Sequence, residues 1–149
     1  MKAIIQRVKS ASVTIASKNI SNIGVGVLVF LGITKGDEQE DIDYLVKKIA
    51  ELRIFKDQNK NMNLSVQDVG GDALVVSQFT LCAYTRRGRR PSFVQAAEPL
   101  AAKKMYNQFC IQLQQLGVPV STGTFGKMMN VQLINDGPVT ILLDSKNDK

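Results

Sequence analysis

Hydroxyl and amide side chains follow an apolar run in the stretch Val75–Leu81, which reads VVSQFTL. Alternate side chains of a strand share a face, so Gln78 and Thr80 point one way and Ser77 and Phe79 the other, unless the strand ends or bulges here. Hydroxyl groups and backbone N–H groups at a sheet edge can hold a carbonyl or its oxyanion. The simpler interpretation is a strand that frays into a polar loop. The residues alone leave both interpretations open.

A second candidate is the basic stretch TRRGRRP, in which four arginines fall within five positions around a glycine. They are Arg86, Arg87, Arg89 and Arg90. No acidic residue lies between Asp72 and Glu98. Guanidinium groups pair bidentately with phosphate oxygens, so the stretch predicts phosphate binding, against the simpler interpretation of a solvated loop. The neighbouring Tyr84 and Phe93 have rings that could stack on a base, although aromatic residues near a strand end are more often part of a core.

The third candidate is NDGPVT at Asn135–Thr140. An Asp-Gly pair between two apolar runs predicts a tight β-hairpin. Pro138 follows at once and removes a backbone donor at the point where the second strand should begin to pair. The sequence by itself gives no reason for that loss.

The chain contains no histidine, which excludes a Ser-His-Asp triad, a Cys-His pair and a histidine-ligated metal. Cys82 and Cys110 lie 28 positions apart and predict neither a disulfide framework nor a zinc site. A hydrolase with this composition must rely on hydroxyls, amides, carboxylates, lysines, backbone dipoles or groups of its substrate. We expect no cofactor and no metal.

The elements that must position these residues are predicted strands and two helices. The predicted strands are KAIIQRV, SVTIAS, the long run NIGVGVLVFLGIT, ALVVSQFTLCA, and MMNVQLIN and VTILLDS as the two arms of the hairpin. One helix is predicted over EDIDYLVKKIAELRI, with Asp37 and Glu40 at capping-box spacing. A second should start near Glu98–Pro99 and stop at Gly117. The stretch FKDQNKNMNLSVQDVGGD reads as a surface loop or short hairpin. The fold class predicted is α+β, a mainly antiparallel curved sheet or small β-barrel with two packed helices.

Length and charge set the broad class. The 149 residues fit one domain, 1–149, and the 44% of hydrophobic residues suffice for a core. The formal net charge of +6 is compatible with an RNA partner without requiring one. The beginning MKAIIQRVKSASV has no secretory apolar region, and no apolar run has the length of a membrane span. We therefore expect a soluble, cytoplasmic protein with no membrane partner.

Four stretches, read together in this order and at these separations, resemble the D-aminoacyl-tRNA deacylase family, also called D-Tyr-tRNA deacylase. They are QRV at Gln6–Val8, LVVSQFTL at Leu74–Leu81, RRPSF at Arg89–Phe93 and NDGPVT at Asn135–Thr140. The SQFT stretch paired with the terminal GPVT is the most specific part. The resemblance extends over essentially the whole chain.

The resemblance implies a homodimeric hydrolase that cleaves the ester of a D-amino acid, or of mischarged glycine, on the terminal ribose of tRNA. It implies a cis peptide bond at Gly137–Pro138 and the entry of this pair into the site of the other subunit. Ser77, Gln78, Phe79 and Thr80 would line the pocket for the aminoacylated adenosine. Arg7 and Met129 would join Gly137 and Pro138 in binding substrate. The ribose 2′-hydroxyl, rather than Thr80, would assist the chemistry.

Two other functions remain open from the residues alone. One is a basic RNA-binding protein without catalytic activity. The other is a hydrolase of small D-amino-acid esters, for which the arginines would be irrelevant.

Overall fold

The computed structural model describes residues 1–148, which form an α+β fold with one six-stranded sheet, a small hairpin and two helices. The strands are β1 (Lys2–Ile15), β2 (Lys18–Ile23), β3 (Gly26–Gly32), β4 (Phe55–Lys56), β5 (Met62–Leu64), β6 (Asp72–Ser77), β7 (Val120–Thr122) and β8 (Asn130–Asp144). The helices are α1 (Gln39–Glu51) and α2 (Pro99–Gln115). This confirms the predicted curved, barrel-like sheet with two packed helices.

The sheet is organised around β1. Its order is β2-β1-β3-β6-β7. β2 and β3 pair with different parts of the long β1, and β8 pairs with β1 along the edge that faces away from both. The pairings of β1 with β2, β3 and β8 are antiparallel. The pairings β3–β6 and β6–β7 are parallel, which the sequence analysis did not predict. The parallel pairing sets Leu31 of β3 beside Ser77, so the SQFT stretch begins where β6 leaves the sheet.

Several predicted strand boundaries are wrong. The opening pair of strands is one continuous β1, and the long run Asn22–Thr34 is divided between β2 and β3 at a bend. The strand predicted through Ala83 ends at Ser77 and is followed by a 3₁₀ turn. The stretch after α1 forms the short hairpin β4–β5, one of the two alternatives predicted for it.

Both helices pack on one face of the sheet. Buried apolar side chains of α1 and α2 contact those of the strands in the larger of two core clusters. The second cluster lies on the other face and joins residues of β1, β3 and β6 to partly buried apolar residues at the start of β8. Among residues 1–148, no helix is long and apolar enough to cross a membrane.

The start of α1 differs from the prediction by one residue. Glu38 is the N-cap and forms a reciprocal capping box with Asp41. Asp37 instead accepts hydrogen bonds from the Met1 ammonium group at 2.6 Å and from the Thr34 backbone at 2.7 Å. Because Asp37 is engaged in this network, the next residue caps the helix. The predicted start of α2 is confirmed, with Glu98 at the N-cap and Pro99 in the first turn.

The predicted terminal hairpin is wrong, because both of its arms belong to the single strand β8. β8 pairs with β1 along nearly its whole length, from Asn130 to Asp144. In the middle of this ladder, Gln6 pairs with Thr140 and Val8 with Asn135. The chain therefore advances two residues on β1 but five residues on β8 between these two pairs. The residues between those ladder positions, Asp136–Val139, therefore leave the ladder, and we call them the Gly-Pro bulge. Pro138 lies in this bulge, where no ladder donor is required.

Side chains beneath the bulge fix its shape. The buried Arg7 donates from Nε to the Asp136 carbonyl oxygen at 2.7 Å and from Nη1 to the Ile54 carbonyl oxygen. Asn135 accepts from the Val139 N–H at 2.8 Å and donates to the Val139 carbonyl oxygen at 3.1 Å. The Gly137–Pro138 peptide bond is cis, in agreement with the expectation from the resemblance.

We predict that Arg7→Met lowers the free energy of unfolding by about 2–4 kcal/mol, because it leaves the buried Ile54 carbonyl oxygen and the partly buried Asp136 carbonyl oxygen without their donor. Lys9→Met on the same strand is the matched control, since Lys9 is exposed; it should change stability by less than about 0.5 kcal/mol. Urea unfolding of both variants measures the difference. Equal stability of the two variants would contradict the anchoring role of Arg7.

Candidate active site

The SQFT stretch turns sharply at the end of β6. After Ser77 the chain enters a 3₁₀ turn over Phe79–Cys82, whose N-cap is Gln78. The Gln78 N–H donates to the Leu31 carbonyl oxygen at 2.8 Å, which ties the turn to β3. A Cβ at Gly32 would lie 2.9 Å from Leu81 Cβ and 3.0 Å from the Gln78 carbonyl oxygen. Glycine is needed here because the turn packs directly on the backbone of β3.

A cavity of about 640 Å³ opens beside this turn, and we call it the SQFT cavity. Its walls come from the end of β6, the start of α2 and the segment that leads into β8. Its lining includes Ser77, Gln78, Phe79, Phe93, Phe125 and Met129. The rings of Phe79 and Phe93 meet edge to face with centroids 5.0 Å apart. Phe79 is still 56% exposed, so an aromatic face remains open to a ligand.

The turn that borders the cavity leaves two backbone donors unused. Phe79 and Thr80 occupy its first two positions, so their N–H groups have no partner within the turn. Such N–H groups are suited to a carbonyl oxygen that becomes an oxyanion. The exposed Thr80 hydroxyl accepts a hydrogen bond from the Gln78 side-chain amide. An amide donor cannot remove the hydroxyl proton, so this contact orients Thr80 without activating it.

The two cysteines are poor nucleophiles. Burial raises the pKa of Cys82 above its usual range and that of Cys110 to about 12. Both thiols therefore remain protonated at neutral pH and unreactive. Burial also raises the pKa of Tyr106, whose hydroxyl donates to the Val75 carbonyl oxygen at 2.7 Å as a structural bond.

The charged groups that line the SQFT cavity are Glu98 and Lys127. Glu98 Oε1 lies 4.0 Å from Nζ of Lys35, with both side chains largely in solvent. No group of three or more acidic or cysteine side chains within residues 1–148 is placed to hold a metal ion. The residues that line the cavity can form hydrogen bonds, stack on an aromatic ring and pair with a charged group.

The arginine-rich stretch forms a loop whose base adjoins the cavity. Tyr84 and Ser92 close the loop through reciprocal backbone hydrogen bonds of 2.8 and 3.0 Å. One end follows the 3₁₀ turn and the other leads to Phe93 in the cavity wall. The four predicted phosphate ligands all lie exposed, and none forms an ion pair with another residue of the described chain; they are Arg86, Arg87, Arg89 and Arg90.

The structure brings only part of the predicted site together within one chain. Ser77, Gln78, Phe79 and Met129 share the SQFT cavity, with Thr80 next in the turn. Gly137 and Pro138 are not among the residues that line it. The Gly-Pro bulge lies on β8, separated from β6 within the sheet by β1 and β3. Arg7 contacts the bulge and Ile54 rather than the cavity.

Sequence reasoning missed the cavity wall formed by Phe125, Gly126, Lys127 and Met128. The stretch TGTFGKMMN contains two glycines between strand-like segments, which signals a loop but gives no function. The start of α2 also lines the cavity, through Glu98 and residues after it. Only the folded sheet brings this helix end beside β6.

Comparisons with known proteins agree with this architecture. The family model described as D-Tyr-tRNA(Tyr) deacylase matches residues 4–144. A Flavobacterium psychrophilum protein named D-aminoacyl-tRNA deacylase is 55% identical over 99% of both chains. A Chloroflexus aurantiacus protein of the same name is 54% identical over 97% of this chain and 91% of its own.

Two solved structures share the fold. One, titled c-Myc DNA unwinding element binding protein, has a TM-score of 0.91 and 42% identity, covering 97% of this chain and 98% of its own. The other, titled as a probable eukaryotic D-amino acid tRNA deacylase, has a TM-score of 0.81 at 19% identity, covering 95% of this chain and 97% of its own. The family-model match and the relatives above half identity decide the assignment: this chain belongs to the D-Tyr-tRNA deacylase family.

Proposed function

We propose that this protein hydrolyses the ester between a D-amino acid, or glycine, and the terminal ribose of tRNA. The proposal rests on the SQFT turn, which borders the cavity, leaves two backbone N–H groups without a partner in the turn and sets the exposed ring of Phe79 in the cavity wall. The donors suit the ester carbonyl, and the rings of Phe79 and Phe93 suit the terminal adenine. The relatives named D-aminoacyl-tRNA deacylase support the D-amino acid as substrate.

The ribose 2′-hydroxyl assists the reaction. Thr80 accepts a hydrogen bond from Gln78, and the chain has no histidine to act as its base. The vicinal hydroxyl of the substrate is already held beside the ester, and such proximity can replace much of what a protein base provides. Ser77, Gln78, Phe79 and Thr80 then position the ester and stabilise the oxyanion.

The Gly-Pro bulge completes the site of a second subunit in a homodimer. Within its own chain the bulge is remote from the lining of the SQFT cavity, yet Arg7 and Asn135 hold it in a fixed shape. Within residues 1–148, β8 pairs only with β1, and it exposes Ile134 and Leu142 along its length. An edge strand with exposed apolar side chains is suited to association with a second copy.

The bulge acts as the chiral gate. Glycine lets backbone atoms approach the ligand closely, and carbonyl oxygens of the bulge hold the α-amino group in one orientation. The side chain of a D-amino acid, and the hydrogen of glycine, then point to open space. The side chain of an L-amino acid strikes the rigid backbone, so the abundant L substrate is excluded by sterics.

The arginine loop binds tRNA phosphates. Its four guanidinium groups are exposed and lack acidic partners within residues 1–148, so they are available to a polyanion. A tRNA substrate places the enzyme in the cytoplasm. In the alternative function, that of a non-catalytic basic RNA-binding protein, the arginine loop would bind RNA phosphates in the same way but no ester would be hydrolysed.

The test of the proposed function is deacylation of the same tRNA charged with a D-amino acid, with glycine or with an L-amino acid. We expect rapid release of the D-amino acid and of glycine, with the L ester surviving, because only the L side chain meets the bulge. Release of amino acid from small D-esters at the same rate as from tRNA would favour the small-ester hydrolase. Binding without release from any charged tRNA would favour the RNA-binding protein.

Thr80→Ala should lower kcat by about tenfold, because an orienting contact is lost while the backbone donors remain. Replacement of the terminal ribose 2′-hydroxyl by hydrogen should lower kcat by about a thousandfold or more, since it removes the assisting group. Single-turnover deacylation with saturating enzyme measures both effects. Complete loss of turnover in a folded Thr80→Ala variant, with normal hydrolysis of the deoxy substrate, would contradict ribose assistance.

Gly137→Ala should lower kcat/KM for the D substrate about tenfold and weaken discrimination against the L substrate. A Cβ at this position would lie 2.5 Å from the Val139 backbone nitrogen, so the bulge must shift. Gly24→Ala is the matched control because a Cβ at this position would have no atom of the described residues within 4 Å, apart from its chain neighbours. A Gly137→Ala variant with the parent's D-to-L ratio of kcat/KM would contradict the gate.

Changing a loop arginine that contacts a phosphate to alanine should weaken tRNA binding. It should also reduce the slope of log K against log salt concentration by about one. The variants are Arg86→Ala, Arg87→Ala, Arg89→Ala and Arg90→Ala. Arg53→Ala, an exposed arginine outside the loop, is the control. Binding measured from low to moderate salt gives the slopes. Parental slopes in all four loop variants would leave the loop without a role in tRNA binding.

A further inference from the structure

A second cavity of about 460 Å³ adjoins the SQFT cavity, and we call it the side groove. It lies between α2 and the segment that leads into β8. Its lining includes Lys103, Asn107, Ile111, Thr122, Thr124 and Phe125. Phe125 also lines the SQFT cavity, so the two spaces share one wall.

The shared wall is held by the core. The rings of Phe125 and Tyr106 pack with centroids 5.8 Å apart and planes tilted by 54°. Tyr106 is itself buried and hydrogen-bonded to β6 through the Val75 carbonyl oxygen. A ligand that fills the SQFT cavity and extends past Phe125 therefore meets a preformed surface.

The polar groups of the side groove suit a phosphodiester and a ribose or base. Lys103 and Asn107 are one helical turn apart on α2, so they lie on the same face. Thr122 and Thr124 add hydroxyl groups from the facing segment. The lining contains no acidic residue, and Lys103 forms no ion pair with any residue of the described chain. An unpaired cation beside amide and hydroxyl groups matches the way proteins contact nucleic-acid backbones.

We propose that the side groove binds the nucleotide immediately 5′ of the terminal adenosine, with Lys103 at the phosphate that joins the two. This rests on the proposed function, because the aminoacylated adenosine must occupy the SQFT cavity. The polynucleotide has to leave that cavity, and the side groove offers a cationic exit beside Phe125. The arginine loop joins a different wall, through Phe79 and Phe93, and serves phosphates farther along the tRNA.

The test compares two D-aminoacyl esters, one on adenosine and one on the dinucleotide cytidylyl-adenosine. The quantity measured is the factor by which the added nucleotide lowers KM. Lys103→Ala should reduce this factor about tenfold, the equivalent of about 1.4 kcal/mol. Lys104→Ala is the matched control, because this neighbouring lysine is also exposed but does not line the side groove; it should preserve the factor.

Equal factors in the two lysine variants, or a factor of one in the parent, would overturn the assignment of the side groove. So would a loss of the factor in Arg86→Ala rather than in Lys103→Ala, which would move the nucleotide to the arginine loop. A parent protein that hydrolyses charged tRNA but gains nothing from the dinucleotide contradicts the side groove alone. A parent that hydrolyses no charged tRNA contradicts the proposed function, and the assignment of the groove falls with it.

Discussion

The structure depends on one mismatch in strand pairing. β8 is longer than its partner β1 requires, and the excess is concentrated between Asn135 and Thr140. An extruded segment of this kind would be mobile if its backbone groups were left to solvent. Arg7 and Asn135 prevent this by bonding Asp136 and Val139, so the excess becomes a rigid bulge. Because Arg7 is buried and belongs to β1, its hydrogen bond fixes the bulge to the sheet.

The SQFT turn depends on a different feature of the sheet, the parallel pairing of β3 with β6. Parallel pairing of β3 with β6 brings the end of β6 against Leu31, and Gly32 allows the 3₁₀ turn to pack tightly there. The turn, whose first two N–H groups have no partner within it, borders a cavity that α2 and the segment before β8 enclose. Under the proposed mechanism the protein contributes fixed dipoles and aromatic surfaces, and the substrate contributes its own hydroxyl. A chain without histidine can catalyse hydrolysis in this way.

Local patterns in the sequence predicted the helices and most of the strands. The apolar spacing of α1 and the Glu98–Pro99 start of α2 are short-range signals, and both appear in the structure. The bulge was not predictable from the same rules. Asp136–Gly137 is a residue pair typical of a hairpin turn. The segments before and after it nevertheless pair with the same strand, because β1 is long enough to pair with both.

Contacts distant in sequence explain the other differences. Asp37 binds the Met1 ammonium group, which is 36 positions away in sequence, and the N-cap of α1 is Glu38 instead. The SQFT residues were identified from their types and from the family resemblance, but their cavity also needs Phe125 and the start of α2. No periodic pattern links these segments, since they meet only when β6 and β7 pair.

In the proposed mechanism the bulge of one subunit completes the cavity of the other, and exchange of subunits between two variants tests this arrangement. Ser77→Trp fills the cavity of its own chain, and Gly137→Ala displaces the bulge of its own chain. Each variant alone should hydrolyse D-aminoacyl-tRNA poorly. If sites form between subunits, an equimolar mixture allowed to exchange should recover about a quarter of the parent's activity, since half of the dimers then contain one intact site. A mixture no more active than the average of the two variants would show that the bulge does not complete the cavity of the other subunit.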